Sequence, residues 1–288
     1  MQSDLNKKLK QLLKPGAGLL LPGAGNALAA RIIESVGFPA VYMTGAGLAN
    51  SYLGAPDMGL TTVTEMAAHI ATIREAVDIP IVADGDTGFG NELNMQRTIR
   101  LYERSGASAI QIEDQVFPKK CGHFEGKEVI PKDEAVRKIK AAVDAREDSN
   151  FLIIARTDAR AVEGMDKALE RARAYQEAGA DVLFVEAPQN IEEMKRICRD
   201  VPGNHICNIV FGGKTPMLPR EELGAMGFSG ILYANAALQA AMLAMKNILV
   251  HLKDTGSLAG AEKDVLSFAD RQVFVDYDKY KAVENKFR

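Results

Sequence analysis

Apolar and polar positions repeat in one order along this chain: a stretch with apolar residues at helical spacing, a glycine, then a short apolar run. Gly37-Phe38 precedes Ala40-Val41-Tyr42-Met43, and Gly106-Ala107 precedes Ala109-Ile110-Gln111-Ile112. The order returns at Gly179-Ala180 before Val182-Leu183-Phe184-Val185, and at Gly227-Phe228 before Ile231-Leu232-Tyr233. A glycine just past a helix takes the left-handed conformation that ends it. Short apolar strands between such stops suit a parallel sheet covered on both faces. The pattern predicts strands near Leu19–Leu21, Ala40–Thr44, Pro80–Asp84, Ala109–Asp114, Phe151–Thr157, Val182–Ala187, His205–Val210 and Gly230–Ala234. It predicts amphipathic helices between them, among them Glu65–Val77, Leu93–Arg104, Asp133–Arg146, Lys167–Ala178 and Ile191–Arg199. Eight strands alternating with helices predict an α/β fold, a (β/α)₈ barrel of the TIM type. A doubly wound open sheet is the alternative, because strand number alone does not show closure.

No shift in composition marks a boundary, so residues 1–288 read as one barrel domain, with a helical tail from about Asp254 that packs on the barrel or on a partner subunit. The length suits a barrel as a single unit. A hydrophobic content of 47% and a net charge of −3 describe an ordinary globular chain with no basic surface for nucleic acid or acidic membranes. Three cysteines without close spacing, Cys121, Cys198 and Cys207, argue against a disulfide framework and for a reducing compartment. The stretch from Met1 to Lys14 is polar and lysine-rich, unlike a signal peptide. The longest nearly apolar run, Ile231 to Met245, is interrupted by Asn235 and Gln239 and is shorter than the roughly 20 residues that span a bilayer. The expectation is a cytoplasmic protein.

A parallel barrel builds its active site at the carboxyl ends of its strands, and here those ends are polar. The second predicted strand leads into Thr44-Gly45-Ala46-Gly47 and the third into Asp84-Gly85-Asp86-Thr87-Gly88-Phe89-Gly90. Glu113-Asp114, Arg156-Thr157-Asp158, Glu186 and Asn208 follow on later strands. Converging carboxylates repel unless a cation sits among them, and hard oxygen ligands suit Mg²⁺, with Mn²⁺ as the alternative. Asp84, Asp86 and Glu113 are therefore a candidate metal site, some acting through water, although Asp84-Gly85-Asp86 alone reads equally as a turn. Arg156 is expected to pair with Glu186 and to offer a fork for a substrate carboxylate. The runs Pro22-Gly23-Ala24-Gly25 and Thr44-Gly45-Ala46-Gly47 each read as following a strand and could cradle an anion with backbone amides. Neither has a nucleotide-binding pattern. His69, His251, Cys198 and Cys207 read as packing or surface residues.

Lys119-Lys120-Cys121-Gly122-His123 is the densest chemistry in the chain. A thiol flanked by cations is expected to favour its thiolate and to exchange a proton near neutral pH. A glycine between Cys121 and His123 allows close approach to a ligand. A surface loop with solvated lysines and an inert cysteine is the alternative, and the neighbouring polar strand ends weigh against it.

Together with Asp84-Gly85-Asp86-Thr87-Gly88-Phe89-Gly90, Ile112-Glu113-Asp114-Gln115 and Ala155-Arg156-Thr157-Asp158, this loop resembles the isocitrate lyase/phosphoenolpyruvate mutase superfamily over nearly the whole chain. The resemblance implies a (β/α)₈ barrel, a homotetramer with the eighth helix exchanged between subunits, and a Mg²⁺-dependent carbon–carbon lyase. Within the superfamily, the cysteine-bearing loop marks the lyases of 2-methylisocitrate and of 2-alkylmalates such as 2,3-dimethylmalate. By resemblance Tyr42, Thr44, Gly45, Ala46, Asp57, Gly122, Arg156, Glu186 and Asn208 contact the substrate. Asp84 binds the metal, with Asp86 and Glu113 as direct or outer ligands. Cys121 donates a proton, and Lys119, Lys120, His123 and Glu113 assist. The implied cleavage releases an α-keto acid such as pyruvate from a small dicarboxylate or tricarboxylate, under a loop that closes on Gly122 and Gly126.

Two departures narrow this expectation. Methylisocitrate lyases carry Thr-Glu-Phe-Gly after the asparagine, where this chain has Ile209-Val210-Phe211-Gly212. Val210 cannot donate a hydrogen bond to an extra carboxylate, which favours an alkylmalate. Oxaloacetate hydrolases tend to have serine at the position of Ala234, which weighs against that activity. A non-catalytic dicarboxylate-binding barrel is the reading outside enzymes, and it has no need of Cys121 beside a metal–carboxylate group.

Overall fold

The computed structural model describes residues 2–288 and closes eight strands into one barrel in chain order. They are β1 (Leu19–Ala24), β2 (Val41–Met43), β3 (Ile81–Asp84), β4 (Ala109–Glu113), β5 (Leu152–Thr157), β6 (Val182–Val185), β7 (His205–Asn208) and β8 (Gly230–Tyr233). Every neighbouring pair is parallel, and β8 returns to β1 with Gly230 opposite Leu19. Closure removes the open-sheet alternative. The glycine stops behave as the sequence requires: Gly37, Gly106, Gly179 and Gly227 have φ between +92° and +111°, a region open to residues without a Cβ. The five helices named above are present, as Val63–Ala76, Glu92–Arg104, Lys132–Ala145, Met165–Glu177 and Ile191–Asp200.

Side chains alternate across each strand, and this sorts the core. Val41, Ile81, Ile110, Ile112, Ile153 and Leu183 face the surrounding helices. Leu21, Tyr42, Val82, Ile154, Phe184, Ile206 and Leu232 fill the barrel itself. The lysine-rich N-terminus, legible only as polar, forms a helix over Gln2–Leu12. Its buried Leu9, with Leu13 just beyond, packs among the residues that begin the strands, including Leu19, Leu152 and Ile206.

One expectation is corrected in β1. Pro22-Gly23-Ala24 lies inside the strand rather than after it, so this glycine run is part of the barrel wall and not an anion cradle. A Cβ on Gly23 would fall on the carbonyl of Ala234, 2.5 Å from its carbon, and backbone at a barrel seam has little room to yield. Gly23→Ala is expected to cost about 3 kcal/mol, to be measured by urea denaturation.

After β8 the helix Ala236–Thr255 runs for 20 residues and buries none of them in the single chain. It exposes Met242, Leu243, Met245, Leu249, Val250 and Leu252. The tail then returns, and Phe268–Phe274 lies on Ala27–Ser35, with Arg31 Nη1 2.8 Å from Asp276 Oδ2. Among the described residues no helix is long and apolar enough to cross a membrane.

Candidate active site

Strand parity places most of the candidate residues. Tyr42, Val82, Gln111, Ile154, Phe184 and Ile206 point into the barrel, so the inward position two residues on is Thr44, Asp84, Glu113, Arg156, Glu186 and Asn208 respectively. All six are buried or nearly so at the carboxyl end of the barrel. Register sets the neighbours: Glu113 lies beside Arg156, and Asp84 beside Gln111. Asn208 Nδ2 reaches Glu186 Oε1 at 3.4 Å.

The charges pair closely. Arg156 Nη1 lies 3.2 Å from Glu113 Oε2, and Nε lies 2.9 Å from Asp158 Oδ2. Its guanidinium also sits over the Phe184 ring, 5.3 Å from the centroid. Glu186, the partner expected for Arg156, stands farther off at 3.8 Å, and Asp158 takes the bidentate place instead through Oδ1 at 3.1 Å from Nη2. Lys119 Nζ is 2.5 Å from Asp57 Oδ1 and 2.9 Å from Asp86 Oδ1. Burial pushes the Asp86 carboxyl up to about 6 against the pull of Lys119, and burial holds Glu113 well above the usual carboxylate range. Burial raises Glu186 as well, but Arg156 and His123 outweigh it and leave that carboxyl low.

These pairings revise the metal expectation. Among the described residues no three His, Cys, Asp or Glu side chains converge as a ready cluster. Asp86 is held by Lys119 and Glu113 by Arg156, so two of the three carboxylates already have a cation. Asp84 is different: Oδ2 accepts from Gly45 N at 3.1 Å, and Oδ1 from Asp86 N and Gln111 Nε2 at 3.2 and 3.4 Å. Its contacts are to neutral donors, and Glu113 Oε1 is buried with no hydrogen-bond partner. One hard carboxylate with others within reach of a water shell fits Mg²⁺, which keeps most of its waters in protein sites.

The loop from Asp114 to Ile130 folds over this mouth. Its base is an antiparallel bridge between Gln115 and Val129. Cys121 N donates to Asp57 O at 3.2 Å, which holds the thiol beside the site. His123 Nε2 lies 3.2 Å from Glu186 Oε1, close to the carboxylate but with no hydrogen-bond partner, while Lys214 N donates to His123 Nδ1 at 3.2 Å. Gly122 is packed so tightly that a Cβ would meet Arg156 Nη2 and lie 2.5 Å from Glu186 Oε1.

Two loop expectations change. Lys120 turns away from the strand-end charges, its Nζ 2.7 Å from Gly126 O. Burial raises the Cys121 thiol above its ordinary value, partly offset by the backbone at His123, so the protonated form is favoured and not the thiolate. Desolvation outweighs the neighbouring cations because Lys119 is spent on Asp57 and Asp86 and Arg156 on its carboxylates. At the second strand end, Thr44 caps the short helix Gly45–Leu48, its Oγ1 accepting from Gly47 N at 3.1 Å. Gly45 N–H is taken by Asp84. Tyr42 lies one layer below the mouth, its hydroxyl donating to Gln111 Oε1 at 2.7 Å, so it supports Gln111 and Asp84 from beneath.

Two residues escape a reading by motif. Gln111 is the polar inward position of an otherwise apolar run, a signal that parity would have revealed. Lys127 follows Gly126 inside the loop, and its Nζ donates to Gly122 O and lies 2.7 Å from Asp158 Oδ1. Nothing in its local sequence distinguishes it from a solvated lysine. Outside the mouth, His69 stacks edge-on against Tyr52 at 4.9 Å, and His251 lies on an exposed helix. Cys198 is partly buried and Cys207 buried; burial pushes the Cys198 thiol up to about 12.

The model of the phosphoenolpyruvate phosphomutase family matches residues 9–253. A 2,3-dimethylmalate lyase from Eubacterium barkeri is 46% identical over 280 residues, covering 97% of each chain. A 2-methylisocitrate lyase from Aeropyrum pernix is 40% identical, over 94% of this chain and 88% of its own. Among solved structures, an oxaloacetate acetylhydrolase in complex with the inhibitor 3,3-difluorooxalacetate superposes with a TM-score of 0.93 at 33% identity, over 99% of this chain and 97% of the other. A phosphonopyruvate hydrolase in complex with oxalate and Mg²⁺ gives 0.88 at 30% identity, over 98% and 99%. The family model spans most of the chain and these relatives match over most of their own length, so the chain belongs to the isocitrate lyase/phosphoenolpyruvate mutase superfamily.

Proposed function

We propose that this protein is a Mg²⁺-dependent carbon–carbon lyase that cleaves a 2-hydroxy dicarboxylate, 2,3-dimethylmalate or a related 2-alkylmalate, to pyruvate and a carboxylic acid such as propionate. The observation that carries this reading is Cys121: a half-buried thiol, its pKa raised by burial, on a loop pinned over a mouth lined with Arg156, Glu186, His123 and Asp84. A thiol kept neutral in such a place is suited to donate a proton rather than to attack.

Asp84 would hold Mg²⁺, with Asp86 and Glu113 reaching it through water. When bound, the ion supplies a Lewis acid that lowers the pKa of the 2-hydroxyl and orients the 2-hydroxycarboxylate. Thr44, Gly45 and Ala46 would border that end of the substrate, and Asp57, Gly122 and Asn208 its flanks. As the hydroxyl proton passes to the neighbouring carboxylates, the bond between the second and third carbons breaks, the second carbon becomes the keto carbon of pyruvate, and the electron pair stays on the third carbon as an enediolate. Arg156, fixed by Asp158 and Phe184, faces the developing charge. Cys121 Sγ then gives its proton to that carbon. Lys119 holds Asp57 and Asp86 in place, and His123 and Glu186 hold the loop down so that water cannot protonate the intermediate first.

Val210 supports the smaller substrate, since its side chain offers no donor to a third carboxylate. The likeness to an oxaloacetate acetylhydrolase favours hydrolysis of oxaloacetate as the second reading; Ala234, at the end of β8, brings no hydroxyl to it. The exposed apolar face of Ala236–Thr255 supports a homotetramer in which this helix is exchanged between subunits.

Pyruvate release from 2,3-dimethylmalate, other 2-alkylmalates, 2-methylisocitrate and oxaloacetate tests the proposal. The expected result is an α-keto acid from the alkylmalates, pyruvate where the 2-alkyl group is methyl, abolished by EDTA and restored by Mg²⁺. Activity confined to methylisocitrate would move the assignment to that lyase, and oxalate with acetate from oxaloacetate would move it to the hydrolase.

A further inference from the structure

Lys127 is buried, although a lysine ammonium loses more by burial than almost any other side chain unless it is paired. Its pairing is unusual in that the two partners belong to different parts of the molecule. The ammonium donates to Gly122 O, inside its own loop and next to Cys121, and lies 2.7 Å from Asp158 Oδ1 at the end of β5. Asp158 in turn grips Arg156 through Nε and Nη2 at 2.9 and 3.1 Å. A continuous chain therefore runs from the backbone of the Cys121 segment through Lys127 and Asp158 to the guanidinium at the centre of the mouth. Gly126, immediately before Lys127, has φ +69° and open space around it apart from Lys120 Nζ, so the turn that delivers the lysine is one that glycine adopts without strain.

The carboxylate end of this chain is anchored at the root of the loop, where Asp114 follows directly on β4, and not on the segment that carries Cys121. Asp158 N donates to Asp114 Oδ1 at 2.8 Å, and Asp114 Oδ2 accepts from Thr157 Oγ1 and Tyr175 OH, each at 2.7 Å. The barrel thus offers Lys127 a fixed receptor, and the loop brings the lysine to it.

We propose that Lys127 is the positioning residue that latches the Cys121 loop shut, by joining Gly122 to Asp158 across the boundary between loop and barrel. The pair forms only when the loop lies on the mouth: lifting the loop returns the ammonium to water and leaves Asp158 with Arg156 alone. A buried pair with fixed partners biases such a two-state element, whereas a surface pair would contribute little. On the lyase reading, which this inference deepens, Lys127 touches neither substrate nor metal and acts through where it holds Cys121.

The test is Lys127→Met, with Lys127→Arg as the conservative variant, followed by iodoacetamide labelling and peptide mass spectrometry of the full-length protein. Cys121 is expected to alkylate at least about tenfold faster in Lys127→Met than in the parent, with the rates at Cys198 and Cys207 unchanged. Lys127→Arg is expected to restore slow labelling, because the guanidinium keeps a charge and several donors for the same two oxygens. Turnover in the pyruvate assay should fall in parallel in kcat and return with arginine. Labelling of Cys121 at the parent rate in Lys127→Met would overturn the proposal. So would equal acceleration at all three cysteines, which would mark general loosening of the fold. Labelling needs no substrate, so the latch is tested even if the parent cleaves none of the candidate acids, a result that would count against the lyase reading and not against Lys127.

Discussion

Replacing Cys121 by alanine is expected to lower kcat for the alkylmalate by about 10²–10⁴-fold, while the variant still binds Mg²⁺ and pyruvate. The physical reason is that no second acid stands ready. Lys119 is held between Asp57 and Asp86, and His123 Nε2 lies against Glu186 at 3.2 Å. The parent should carry a pH signature of the same group. Proton donation requires the thiol form, and burial raises the Cys121 pKa above its ordinary value. Activity should therefore persist through the usual thiol range, about pH 8.5, and fall only as the pH rises through the raised value. A profile of kcat against pH, with calorimetric binding of pyruvate to the variant, checks both parts. Turnover at the parent rate by Cys121→Ala would remove the thiol from the mechanism.

Gly122→Ala should be nearly as damaging to turnover and far milder to the fold. The added methyl would meet Arg156 Nη2 and sit 2.5 Å from Glu186 Oε1. Movement of either group is costly, because Asp158 and Glu113 hold the guanidinium, and the Glu186 carboxylate accepts from Asn208 and is hemmed in by His123. The loop must then stand off the mouth, and a displacement of the proton donor by about 1 Å costs on the order of 10² in rate. Stability rests on the barrel, so the melting temperature should stay close to the parent's. The comparison is kcat/KM against Tm for the two proteins. A variant that melts like the parent and also turns over like it would show that the loop need not seat Gly122 against Arg156 for reaction.

Much of the fold was legible because its determinants are local. Helix stops at Gly37, Gly106, Gly179 and Gly227 depend on backbone freedom at one residue, and apolar runs such as Val182–Val185 depend on burial of a single strand. Closure is not local, and the pairing of Leu19 with Gly230 came only from the structure. Pro22-Gly23 was misread for the same reason: as a motif it looks like a loop, and only the nearness of Ala234 shows that a close approach of two strands demands the glycine.

For the candidate site, the sequence by itself determined which residues stand at the strand ends, because a period of two fixes which side chains face inward, and it determined that a thiol, two cations and an imidazole share one loop. Tertiary structure alone decided how they divide the work. It turned Lys120 away from the strand-end charges and buried Lys119 between two aspartates, and it gave Arg156 to Asp158 more closely than to Glu186. It also reversed the expected state of Cys121, since Lys119, which would favour a thiolate in an isolated peptide, is neutralised by Asp57 and Asp86 and Lys120 turns to Gly126 O, leaving burial to set the balance. Lys127 became distinct from any other lysine only when the loop folded back and brought it to Asp158, 31 positions along the chain. Charge pairing and desolvation depend on distances between segments far apart in sequence, and those distances exist only once the barrel has closed.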